Sequence, residues 1–191
     1  METIEQIDRS LFFFFNGLHN NLFDDVMPWI SSTTFWIPFY FFLAYLLYKS
    51  IGKKIMSAFI CIILLISLSD QTCGIIKKQV QRYRPSHNVE IQNQVHIVDG
   101  YRGGQFGFVS SHAANAFAIA FFLIFLFEDK QNWFKAALIA WAILVSYSRI
   151  YLGVHYPSDV TGGAVIGIVY SLLIYKLYGK LSVFLQPDPP N

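Results

Sequence analysis

The chain has 191 residues, a net charge of +2, 54% hydrophobic residues and only 14% charged ones, where soluble domains carry about 25% charge. A mean hydropathy of +0.43, with nineteen Phe and eleven Tyr, excludes disordered, collagen-like, coiled-coil and disulfide-scaffold classes, and so small a charge gives no footing for nucleic acid. The composition is that of one all-α domain, residues 1–191, built as a polytopic membrane helix bundle.

Residues 3–18 come first. Ile4, Ile7, Leu11, Phe14, Phe15 and Leu18 recur at helical spacing, with Glu5, Asp8 and Arg9 between them. That pattern predicts an amphipathic helix lying in the membrane interface; a short sixth span through Leu11–Phe15 is the alternative. The N-terminus is acidic and lacks a basic leader, so no signal peptide is expected. Five membrane spans are predicted, at Ser31–Lys49, Ile55–Gly74, His112–Phe127, Phe134–Tyr151 and Val160–Tyr178, each near the roughly 17–25 apolar residues a crossing needs. Cys61 and Cys73 both fall in the second apolar stretch and read as packing residues, with no bridge or metal site implied. Gly163 and Gly167 form a small-xxx-small pair that predicts close helix packing. A Pro-rich segment follows Leu185.

Five spans put the loops on alternating faces. Lys49, Lys53, Lys54, Lys130, Lys135, Lys176 and Lys180 share one face; Arg9, Lys77, Lys78, Arg82, Arg84, Arg102 and Arg149 share the other. This even split leaves the positive-inside rule undecided. All five Arg lie on the second face, and Arg grips phosphate bidentately. Setting Lys77, Arg84 and Arg149 aside as a binding site makes the Lys face cytoplasmic and the Arg face outward.

Ionisable groups in so apolar a chain are functional candidates. They gather in three islands predicted to share one face: Lys77 to Pro85, Val109 to His112, and Ser148 to Asp159. Each has a plain structural reading. Cations at a helix end snorkel to headgroups, serines before a helix are N-caps, and a His–Asp pair can be a capping contact. Those readings do not explain why all three converge. Phosphoryl transfer does: it needs cations, donors for the phosphoryl oxygens, a nucleophile and an acid for the leaving oxygen. Lys77, Arg84 and Arg149 supply charge, and the free N–H groups at the start of the third span form an anion cradle. Asp159 lies four residues after His155, within reach of one ring nitrogen, which leaves the other free to attack. His112 is then available to donate a proton. The His and carboxylate groups are too few and too scattered for a metal, and no cofactor is expected.

At these positions the sequence closely resembles the type 2 phosphatidic acid phosphatase superfamily. Lys77 is followed after six residues by Arg84-Pro85; Ser148-Arg149 is followed after five residues by His155, and after three more by Asp159. Both spacings match the family signatures. The middle signature, Pro-Ser-Gly-His, departs: Val109 and Ser111 replace its Pro and Gly, while Ser110 and His112 are kept. The matched stretch covers 77–159.

The resemblance implies a helical core shared with glucose-6-phosphatase and the vanadium haloperoxidases. It also implies a metal-independent reaction through a phosphohistidine on His155, oriented by Asp159 and assisted by His112 as acid, with Lys77, Arg84, Ser110, Ser111 and Arg149 holding the phosphate. Bacterial membrane members act on the outer face of the cytoplasmic membrane. The expected substrate is a lipid phosphate, with undecaprenyl diphosphate or another envelope lipid favoured on family grounds. A lipid phosphotransferase using the same intermediate, and a non-catalytic lipid-phosphate binder, are the alternatives. Asp70 reads as a helix-end charge near water, with orientation of Lys77 as the other reading. Arg82, Arg102 and His87 read as solvated loop residues or contacts to a second phosphate. The glycine-bearing loop 86–109 reads as a flexing cover over the entrance.

Overall fold

The structure, a computed structural model, describes residues 2–127 and 130–185. The Pro-rich segment after Leu185 lies outside them. The described chain is helical, in the order α1 (Glu2–Asn16), α2 (Asn21–Ser31), α3 (Ile37–Ile51), α4 (Ile55–Val80), α5 (Ser111–Leu126), α6 (Asn132–Tyr151) and α7 (Pro157–Leu185). Among the described residues, three stretches are long and apolar enough to cross a membrane: Thr33–Val80, which holds both α3 and α4, then Asn132–Tyr151 and Pro157–Leu185. α5 is a shorter apolar helix of 16 residues, about 24 Å at 1.5 Å per residue. Exposed side chains such as Phe41, Phe42, Ile63, Val165 and Leu173 supply the apolar exterior that lipid contact requires.

The predicted spans correspond to α3 through α7, with shifted ends. Ser31 belongs to α2, an unpredicted helix whose N-cap Asn20 accepts from the Phe23 N–H at 3.0 Å. The first long span begins later, where Pro38 sits in the first turn of α3 and sacrifices no helical hydrogen bond. α4 runs past Gly74 to Val80, so Lys77 lies on its last turn. It stops at Gln81, which takes left-handed backbone (φ 51°) and bonds its N–H to the Lys77 carbonyl.

α1 forms where predicted, and the face it turns to the bundle is not its apolar stripe. Ile7, Leu11 and Phe14 are exposed, whereas Asp8, Phe12 and Asn16 are buried. The stripe that meets the bundle is therefore this mixed one, because Asp8 and Asn16 both find buried partners. The apolar stripe is left for lipid.

α5 is the central helix, packed against α4, α6 and α7. Its Ala113, Ala114, Ala116, Ala118 and Ala120 are buried, and Ala114 and Ala118 meet the predicted small-residue pair of α7. A Cβ on Gly163 would lie 2.3 Å from the Ser110 carbonyl oxygen, and one on Gly167 2.1 Å from that of Ala114. Only glycine allows this approach. It seats the N-terminus of α5 against that of α7, where the Ser110 N–H donates to the Asp159 carbonyl at 2.8 Å.

Candidate active site

The three polar islands meet at one end of the bundle. Lys77, from the last turn of α4, donates to Ser111 Oγ at 2.6 Å. Thus the residue standing where the signature has Gly serves as the lysine's partner. Arg84, in the following loop, donates Nε to the Phe106 carbonyl at 3.1 Å and Nη1 to that of Val154 at 3.3 Å. Ser110 is fully buried and caps α5, accepting from the Ala113 N–H at 3.4 Å. The neighbouring N–H groups of that first turn lack helical partners by geometry.

Arg149 ends α6 and is buried. It donates Nη1 to Ser31 Oγ and Nη2 to the Tyr101 hydroxyl, the latter at 3.0 Å; its buried Nε has no protein partner. His155 is 1% exposed, with Nδ1 3.3 Å from Asp159 Oδ2. That same carboxylate oxygen accepts from the Tyr156 N–H at 3.0 Å. Burial, and then the charges of Arg84, Arg149 and Lys77, hold the His155 imidazole well below its ordinary pKa, in the neutral form. Burial and the neighbouring Arg149 likewise push Arg84 down. Such mutual repulsion among gathered cations is what a bound anion relieves.

Two cavities flank this cluster. One, of about 540 Å³, runs from Asp70, Ser111 and His112 along Ile119 and Leu123 to Leu47 of α3. The other, about 380 Å³, is bounded by Arg149, Tyr101, Asp99 and Ser31. His112 lines both.

All eight sequence-predicted site residues are therefore brought to one locality. Three other readings change. Asp70 is exposed, as expected, but it lies inside α4 and not at its end, where it accepts from Asn115 Nδ2 at 3.0 Å on the wall of the larger cavity and has no bond to Lys77. Arg102 donates to the Ser86 carbonyl at 3.0 Å, and His87 lies 3.3 Å from the Gly103 carbonyl oxygen; both tie the loop to itself. The loop packs into the site: a Cβ on Gly107 would lie 2.8 Å from Asp159 Oδ2, and one on Gly103, at φ +64°, 2.7 Å from Arg84. Arg82 is no solvated residue either, since it bonds Asp159 Oδ1 at 2.8 Å. Sequence reasoning missed Asp8, Ser31, Tyr101 and Ser158. A faint signal existed for the first: Asp8, Phe12 and Asn16 repeat every four residues, marking a second face on α1.

Among the described residues, no group of three or more His, Cys, Asp or Glu side chains is arranged to hold a metal ion. Residues 58–182 match the model of the PAP2 superfamily. A lipid A 4'-phosphatase of Bacteroides thetaiotaomicron is 40% identical over the whole of this chain and 85% of its own length. One from Porphyromonas gingivalis is 34% identical over 93% of this chain and 75% of its own. The crystal structure of Aquifex aeolicus LpxE superposes with a TM-score of 0.68 at 27% identity, covering 87% of this chain and 93% of that one.

Proposed function

The chain belongs to the PAP2 superfamily of membrane lipid phosphatases, and on that premise we propose that it hydrolyses a lipid phosphomonoester through a phosphohistidine on His155. Lys77, Arg84 and Arg149, with the α5 N-terminus at Ser110 and Ser111, hold the phosphoryl oxygens. Asp159 accepts the Nδ1–H of His155, so the Nε2 lone pair attacks phosphorus. The bond from phosphorus to the lipid oxygen breaks as His112 donates its proton to that oxygen. Water then attacks the phosphohistidine, His112 takes a proton back, and His155 is regenerated as inorganic phosphate leaves. No step calls on a metal or cofactor.

The observation that carries this reading is a buried His155–Asp159 pair set among three cations. The 540 Å³ cavity that begins at His112 supports a lipid substrate, because it is lined by apolar side chains of α3, α4 and α5 and has room for an acyl chain. Within the envelope lipids, the two lipid A 4'-phosphatases to which the chain is similar favour a lipid A-type phosphomonoester over a polyprenyl diphosphate. The whole chain would act as a single domain in the cytoplasmic membrane, with the site on its outer face.

Phosphate release is measured from a lipid A-type phosphate, phosphatidic acid and a polyprenyl diphosphate, in detergent with excess chelator. His155→Ala and His112→Ala are run alongside. His155→Ala is expected to lose essentially all turnover, and a variant that kept near wild-type activity would overturn the nucleophile assignment. Preference for the polyprenyl diphosphate would overturn the substrate assignment alone.

A further inference from the structure

The carboxylate that orients His155 is itself held by residues from outside the phosphatase signatures. Asp159 is completely buried, and its Oδ1 accepts from Arg82 Nη1 at 2.8 Å. Arg82 stands two residues before the signature Arg84, at a position the signature leaves open. Its guanidinium lies 4.0 Å over the Tyr156 ring and donates Nη2 to Asp8 at 2.7 Å and Nη1 to Ser158 Oγ at 2.6 Å.

Asp8, on α1, is only 6% exposed. Besides Arg82 it receives the Ser158 hydroxyl, and its Oδ1 accepts the Ser158 N–H at 2.9 Å. That N–H belongs to the first turn of α7, whose donors have no helical partner. Asp8 therefore caps α7 from another helix, placing a negative charge at the positive end of its dipole. Asp159 lies on that same turn. Burial opposes the charge on Arg82, but Asp159 and Asp8 hold its pKa above the ordinary value, so the guanidinium stays charged.

We propose that Asp8 and Arg82 are positioning residues: through them α1 fixes the carboxylate of Asp159 and, through it, the attacking ring of His155. This rests on the assignment of His155 as nucleophile. The relay acts on the geometry of attack and leaves the phosphate cradle alone, because neither residue bonds Lys77, Arg84, Ser110 or Arg149. A carboxylate freed at one oxygen lets the ring swing, and misplacement by about 1 Å costs roughly a hundredfold in rate.

The test compares wild type with Asp8→Asn, Arg82→Gln, Arg82→Lys, His155→Ala and, as an α1 surface control, Arg9→Gln. Each is purified in detergent, and kcat, KM, the orthovanadate inhibition constant and the thermal midpoint are measured. Asp8→Asn and Arg82→Gln are expected to lose about 10- to 100-fold in kcat, with KM and vanadate inhibition within twofold of wild type. Arg82→Lys keeps the charge without the fork and should recover only part of the loss. Arg9→Gln should match wild type. Wild-type kcat in both Asp8→Asn and Arg82→Gln would overturn the proposal. So would a parallel weakening of KM, vanadate inhibition and thermal midpoint, which marks a structural prop. Turnover persisting in His155→Ala would instead overturn the nucleophile assignment beneath it.

Discussion

Replacing Arg149 with lysine isolates geometry from charge. Arg149 is buried at the end of α6, with Nη1 committed to Ser31, Nη2 to the Tyr101 hydroxyl at 3.0 Å and Nε without a protein partner. A lysine ammonium keeps the positive charge but cannot hold Ser31 and Tyr101 while also offering a fixed N–H to phosphate. The cost in the transition state is one charge-assisted hydrogen bond, about 1.5–3 kcal/mol. At about 1.4 kcal/mol per decade, that is roughly 10- to 150-fold in kcat/KM. The assay is phosphate release from a short-chain phosphatidic acid in mixed micelles, with orthovanadate inhibition as an independent measure of cradle affinity. Both should weaken in Arg149→Lys while the thermal midpoint changes little. Activity within threefold of wild type would refute a role for this guanidinium beyond its charge.

Gly163→Ala drives a methyl toward the Ser110 carbonyl oxygen, 2.3 Å from the ideal Cβ position. The variant should lower both the thermal midpoint and kcat, since α5 and α7 must part where Ser110 and Asp159 meet; unchanged values for both would show that the helix contact is not needed. Ile119→Trp narrows the 540 Å³ cavity and should raise KM for long-chain substrates several-fold while leaving a water-soluble phosphate ester unaffected, a difference read from parallel kinetics on the two. The depressed pKa of His155 carries a sign: below about pH 6.5 the unfolded chain takes up a proton that the folded state refuses. This contribution to stability is full above that pH and lost as pH falls toward the folded value. Thermal midpoints at pH 8, 6 and 5 should therefore fall more steeply for wild type than for His155→Gln, and the acid limb of kcat/KM assigned to His155 should lie below pH 6.5.

The membrane setting was legible because it is a bulk property. With 14% charge and 54% apolar residues, the choice of solvent needs no knowledge of contacts. The residues of the candidate site could be grouped from the sequence because their spacing is local. Asp159 comes four positions after His155, and the loop and helix start between them bring the side chains within 3.3 Å. Lys77 and Arg84 flank the end of one helix. The glycines of α7 announced close packing without naming the partner helix.

What tertiary structure decided lies at long range. The period of α1 marks both an apolar stripe and an Asp8–Phe12–Asn16 stripe, and nothing local says which one the bundle will cover. The outcome depends on Arg82, 74 residues away, and on the free N–H of Ser158, 150 residues away. Arg149 likewise needed Ser31 and Tyr101 from distant segments, and the two cavities exist only once α2 to α6 and the loop before α5 have packed. Helical periodicity tells which side chains share a face. Only packing tells what that face meets, because a buried charge is tolerable only where an opposite charge or a free donor is already waiting.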